Sequence, residues 1–224
     1  MKNALRVLAA LVPLLSAAAE VPSGERVVDE VVAVVATRGR EGRVITLSQV
    51  AEEGRIALVS RGGVEAAFAP LGGAVLRASL DWYVDQILLF DEAVRLQVFE
   101  VDRAAAQAEL TRFKAAFRSP KDFQAFLYQI DSSEDDLTNV LRRSIRVRRY
   151  LESRLGRTRP SARDIQAWYD AHATEYGGLP LADVKDDVAS RIIAARADSE
   201  TKALLAELRS RADVRILVDL GARP

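Results

Sequence analysis

One histidine, His172, is the only side chain among 224 residues whose ordinary pKa suits proton transfer near neutrality. A Ser-His-Asp relay would have to use it. Its place at helical spacing from Trp168 and Tyr176 instead suits packing at a core edge. The acidic runs Glu134-Asp135-Asp136 and Asp186-Asp187 are consecutive, so their side chains diverge around a helix and cannot converge on one ion. Solvated helix faces account for them. With no cysteine, thiol catalysis, disulfides and Cys-ligated zinc are excluded. Gly39 and Gly42 sit in a polar turn, and no glycine pair is followed by Lys-Ser or Lys-Thr, so no phosphate loop is present. No catalytic residue, metal or cofactor is therefore assigned.

The densest charge feature is Arg142, Arg143, Arg146, Arg148, Arg149, Arg154, Arg157 and Arg159. Its plain reading is a solvated helix face opposite the apolar stripe Leu137–Leu155. Its sharper reading is an arginine-lined rim that pairs with acidic groups, or stacks on aromatic groups, of a bound polypeptide. Acids and bases balance over the whole chain, so nothing calls for nucleic acid or a membrane surface.

The N-terminus reads as a secretory leader. Lys2 and Arg6 precede the apolar run Val7–Leu15, and Ser16-Ala17-Ala18-Ala19 offers small residues for cleavage before Glu20. The run is shorter than the roughly 20 residues that span a bilayer, and no cysteine follows for a lipid anchor. An exported, periplasmic protein is expected. Loss of residues 1–19 removes two cations and leaves a mature charge of about −2. The remaining 20–224 can fill one domain. Hydrophobic residues make up 49% of the chain, enough for a core.

Val27–Ala36 is β-branched with partial alternation, and Val44-Ile45 returns after a polar turn at 37–43. Thr46 or Ser48 caps a helix to about Ser60. Gly62-Gly63 and Gly72-Gly73 bracket a short, weakly helical piece. The spacing predicts a long helix over 74–100, apolar around its girth. Asp102 caps a helix with Ala106, Leu110, Phe113 and Phe117 on one stripe. Ser119-Pro120 starts another, with Phe123, Phe126, Leu127 and Ile130. Ser132 or Ser133 starts a third, and Ser161 with Asp164 forms a box-like start for a fourth. Leu181 to Leu208 marks one long helix or two in line. Val214–Val218 is a second strand signal, and pairing it with Val27–Ala36 is the economical solution, since a lone hairpin is marginal. The expected fold is mainly α with a small antiparallel β element.

This order resembles the SurA-type periplasmic chaperones, with their trigger-factor-like helical fold. VVDEVVAVVATRGREGRVITLSQV is similar to that family's opening hairpin (27–46) and the entry to its first helix. LDWYVDQILLFDEAVRLQVFEVDRAAAQAEL resembles its long central helix and the capped helix after it. SPKDFQAFLYQIDSSEDDLTNVLRRSIRVRRYL and SARDIQAWYDAHATEY resemble helices that follow, within a helical body at 47–176. LPLADVKDDVASRI and LRSRADVRIL, within 179–218, resemble the returning helix and strand. The family's parvulin-type isomerase domain should lie between Tyr176 and Leu179, where only Gly177-Gly178 stands. The sequence thus departs from the family at its catalytic part, and a non-enzyme is expected.

The resemblance implies an ATP-independent chaperone that binds unfolded or outer-membrane polypeptides in an apolar groove. The alternative is a dedicated adaptor holding one exported partner, or a companion of a separate prolyl isomerase. Trp82, Leu89 and Tyr128 fall outside the cleanest stripes and are the candidate peptide contacts. The phenylalanines at 113, 117, 123 and 126 belong to the core.

Overall fold

The computed structural model describes residues 29–37, 39–155 and 159–222. The expected leader at 1–19, the strand start at Val27-Val28 and Arg157 lie outside these residues. Two strands, β1 (Val31–Ala36) and β2 (Arg43–Thr46), lead into helices α1 (Leu47–Ser60) and α2 (Val64–Phe68). The long α3 (Gly73–Arg95), α4 (Arg103–Lys114), α5 (Pro120–Gln129) and α6 (Glu134–Arg154) follow. Then come α7 (Ala162–Ala171), a 3-10 turn at Ala173–Tyr176, α8 (Leu181–Ser210), β3 (Asp213–Ile216) and a last 3-10 turn at Leu220–Ala222. The described chain is mainly helical, with one antiparallel sheet of strand order β2-β1-β3.

The register sets Val35 opposite Arg43 on one side and opposite Val214 on the other. An irregularity between Val31 and Ala33 lets both Val32 and Ala33 be fully buried. Helix starts are chosen by side chains that accept the free N–H groups of a first turn. Thr46 and Gln49, Ser133 and Asp136, and Ser161 and Asp164 each form a reciprocal capping box. Asp102 accepts from the Ala105 N–H at 2.7 Å.

Helix α3 stops at Arg95 rather than continuing to residue 100. Gln97 adopts a left-handed φ of 53°, and the N–H of Val98 returns to the Ala93 carbonyl at 3.1 Å while that of Gln97 returns to Val94 at 2.9 Å. That pair of bonds is a Schellman ending made without glycine. Arg146 of α6 donates to the carbonyls of Val98 and Ala93, at 2.9 and 3.4 Å, which holds the ending in place. Amphipathic periodicity carries no trace of a bond from a residue so distant in sequence.

The buried side chains fall into three clusters. The first joins the sheet, α3, Val147 and Tyr150 of α6, Leu204 and Leu208 of α8, and Leu220. The second joins the far end of α1 to α2, α4, α5 and the first half of α6. A third, around Ile165, Tyr176, Val188 and Ile192, packs α7 on the first half of α8. Helix α6 therefore runs through two clusters, and α8 links the first to the third. Helices α1 and α3 approach so closely that a Cβ on Gly54 would lie 2.4 Å from the Ser79 hydroxyl oxygen. No helix among the described residues is long and apolar enough to cross a membrane.

Phe126 is fully buried and its ring meets those of Phe68, Phe113 and Phe117 at 6.1, 5.8 and 5.3 Å. Replacing it with alanine should cost about 3–5 kcal/mol in urea denaturation; a loss below that of an exposed substitution would show that this cluster is not packed as described. Glu52 of α1 is half-buried, and burial, aided by the charges of Asp136 and Asp131, raises its carboxyl above the ordinary range. A raised native value means that the wild-type contribution is intact below the ordinary glutamate range and lost as pH rises through the raised value. Glu52→Gln should thus stabilise the fold at neutral pH, and the gain should vanish in acid. Unfolding midpoints measured across that range decide it, and a gain confined to acid would contradict the described burial.

Candidate functional site

Most of the arginines at 142–149 do not stand on a solvated face. Arg143 forms an ion pair with Glu53 of α1, whose side chain is nearly buried. Burial pushes the Glu53 carboxyl up, and the Arg143 guanidinium opposes that push. Arg146 is spent on the end of α3, as above. Arg149 donates to the Glu100 carbonyl at 3.2 Å, and Arg148 reaches Glu109 of α4 at 3.3 Å. Three successive connections to the α3–α4 segment thus come from one helix. Arg142 differs: it is exposed, and its guanidinium meets the Asn139 side-chain oxygen at 3.3 Å.

The same residues enclose a cleft of about 490 Å³. One wall is α6, with Asn139, Arg142, Arg143 and Arg146. Tyr83 and Phe90 of α3, Arg43 of β2, and Glu100 and Val101 between α3 and α4 complete the lining. The guanidinium of Arg143 lies over the Tyr83 ring at 5.8 Å, and that of Arg146 lies over Phe90 at 5.8 Å. At this distance the ring faces attract the cations and bias where the guanidiniums stand. Burial, with the nearby charge of Glu53, raises the Tyr83 hydroxyl, so it stays protonated and able to donate. The cleft exists because α6 carries arginines where its two apolar stretches meet, which keeps the first and second clusters from merging.

Asp91 of α3 anchors the β1–β2 turn to this wall. Its side chain is 9% exposed and accepts from Thr37 Oγ1 at 3.0 Å and from Arg40 at 2.7 Å, with Arg43 at 3.6 Å. That contact sets where Arg43 stands in the lining of the cleft.

The peptide contacts expected from the sequence are not brought together. Leu89 is 2% exposed and packed in the first cluster, which removes it as a surface contact: the α3 face it occupies is covered by the core. Trp82 is half-buried beside a shallow groove between α1 and α3, with Val75 and Leu58, and Arg61 lies 5.9 Å from its ring. Tyr128 stands 91% exposed on α5. Sequence reasoning passed over Tyr83 and Phe90, because their spacing on α3 matches core positions as well as cleft positions. The arginine run was the available signal for this cleft.

His172 is stacked on Trp168, with ring centres 4.3 Å apart, and its Nδ1 lies 2.8 Å from the Trp168 carbonyl oxygen. Asp164, near the same surface, is engaged by Arg196 at 3.0 Å and by its cap. Asp164, His172 and Ser199 line one open pocket, and His172 Nδ1 is directed to the Trp168 carbonyl oxygen. Among the described residues no group of three or more His, Asp or Glu side chains is placed to hold a metal. No family model, curated protein or solved structure matches the chain.

Arg143→Met should cost about 3–5 kcal/mol, because it strands the Glu53 carboxylate away from water. The double variant with Glu53→Leu should recover most of that loss, since an apolar pair of similar volume avoids the desolvation cost. Chemical denaturation of the four-member cycle measures the coupling, and additive losses would show the two residues to be independent.

Proposed function

We propose that the chain is an ATP-independent chaperone of the periplasm, of the SurA type but without an isomerase domain, which holds unfolded or exported polypeptides. The observation that carries this reading is the open cleft between α3 and α6, where aromatic rings and guanidinium groups stand side by side. Polypeptide segments are themselves mixtures of apolar and polar groups, and a surface of this mixed kind can hold many of them weakly. Large apolar side chains exposed elsewhere support multipoint contact: Val44 is 49% exposed, Val75 42% and Leu217 55%, besides Tyr128. Covering such surface yields about 25 cal/mol per Å² removed from water, so several small contacts add to useful affinity and release needs no nucleotide. The order and spacing of the elements and the closing strand are the sequence grounds for the family reading, and the Gly177-Gly178 joint is where the sequence departs from that family.

The chain lacking residues 1–19 should suppress aggregation of a denatured outer-membrane protein at equimolar ratio without ATP, read by light scattering. It should leave the cis–trans exchange of a proline peptide at its uncatalysed rate. Undiminished scattering at large molar excess would overturn the chaperone reading. If recovery of bound proteins from a periplasmic extract returns a single stoichiometric partner, the chain is a dedicated adaptor instead.

A further inference from the structure

We propose that the α3–α6 cleft reads carboxylates, taking polypeptide segments in which an Asp or Glu stands beside an aromatic or large aliphatic residue. The inference rests on the polypeptide-holding role above and specifies which segments are held.

Four guanidinium groups line the cleft, those of Arg43, Arg142, Arg143 and Arg146. Carboxylates stand near them as well: Glu53 is paired with Arg143, which also feels the charge of Glu52, Glu100 lines the cleft, and Asp91 is shared between Arg43 and the closer Arg40. Two of the four, Arg142 and Arg146, form no ion pair among the described residues, and that leaves cationic charge unpartnered in the cleft. Arg142 makes it available: it is exposed, and its contact with Asn139 at 3.3 Å leaves the charge without an ion pair among the described residues. Arg146, which lines the cleft, donates from Nε and one terminal nitrogen to backbone carbonyls and from the other terminal nitrogen to neither.

A guanidinium fork matches the two oxygens of a carboxylate, and such charge-assisted bonds are about twice as strong as neutral ones. The rings of Tyr83 and Phe90 hold two of the forks in position, and Phe90 with Val101 supplies an apolar wall for the neighbouring side chain. The scale of the site selects against a polyanion. Nucleic acid needs a basic track that neutralises successive phosphates, whereas here the cations converge on about 490 Å³.

The test is a fluorescence-anisotropy titration of the full chain with two labelled peptides. One alternates Asp or Glu with Phe; the other carries Asn or Gln at the same places. Wild type should bind the acidic peptide about tenfold more tightly, the equivalent of about 1.4 kcal/mol. Arg142→Gln should reduce that preference to near parity, and Arg142→Glu should invert it. Arg142 is exposed, so both variants should keep the wild-type circular dichroism spectrum. Equal binding of the two peptides by wild type would overturn carboxylate reading while leaving polypeptide holding intact. Binding of neither would overturn both. A preference unchanged in both variants would overturn this location, and displacement by inorganic phosphate as effective as by unlabelled acidic peptide would identify a small-anion site instead.

Discussion

Helix α6 has to serve two hydrophobic clusters at once, and its arginines are how it does so. Leu137, Val140 and Leu141 enter one cluster, Val147 and Tyr150 the other. Between them Arg143 reaches Glu53 on α1, and Arg146 reaches the end of α3. A guanidinium is long, and its donors can meet several carbonyl or carboxylate oxygens together. It can therefore hold helices in register across a gap that aliphatic side chains would have closed. The gap is the cleft, so the interaction that fixes the relative placement of α1, α3 and α6 also creates the open surface.

Local rules made much of the helical frame legible in the sequence. Thr46, Asp102, Ser119, Ser133 and Ser161 each cap the helix expected of them, since capping depends on residues within one turn. Phe113, Phe117, Phe123 and Phe126 are buried, as their spacing on amphipathic helices implies. What escaped is non-local. The early end of α3 depends on an arginine some fifty residues later. Helix α6 turns different faces to its two clusters, with Leu137, Val140 and Leu141 in one and Val147 and Tyr150 in the other, a division its amphipathic pattern does not reveal. Leu220 is wholly buried and packs with the α3 cluster, though it lies beyond the last element the sequence predicts.

The candidate site divides along the same line. The arginine run was visible, but whether it faced water or protein depended on what α6 packs against. Leu89 and Trp82 lie on one helix, yet the first is sealed and the second half-open. Hydrophobicity alone could not separate them. The apolar and cationic groups of the cleft are already placed by the contacts that stabilise the fold, so the surface offered to solvent and the architecture draw on the same residues.

The joint between the 3-10 turn and α8 differs from this dense interlocking. Gly177 and Gly178 both take left-handed backbone, with φ of 58° and 83°, and a Cβ on either would meet nothing within 4 Å. Space is plentiful there, but conformation is not: a side chain would fit sterically and still strain the backbone. The turn should therefore resist replacement of its residues while tolerating added length, since extra residues could relax the left-handed pair. Its evolutionary freedom lies in insertion, not in substitution.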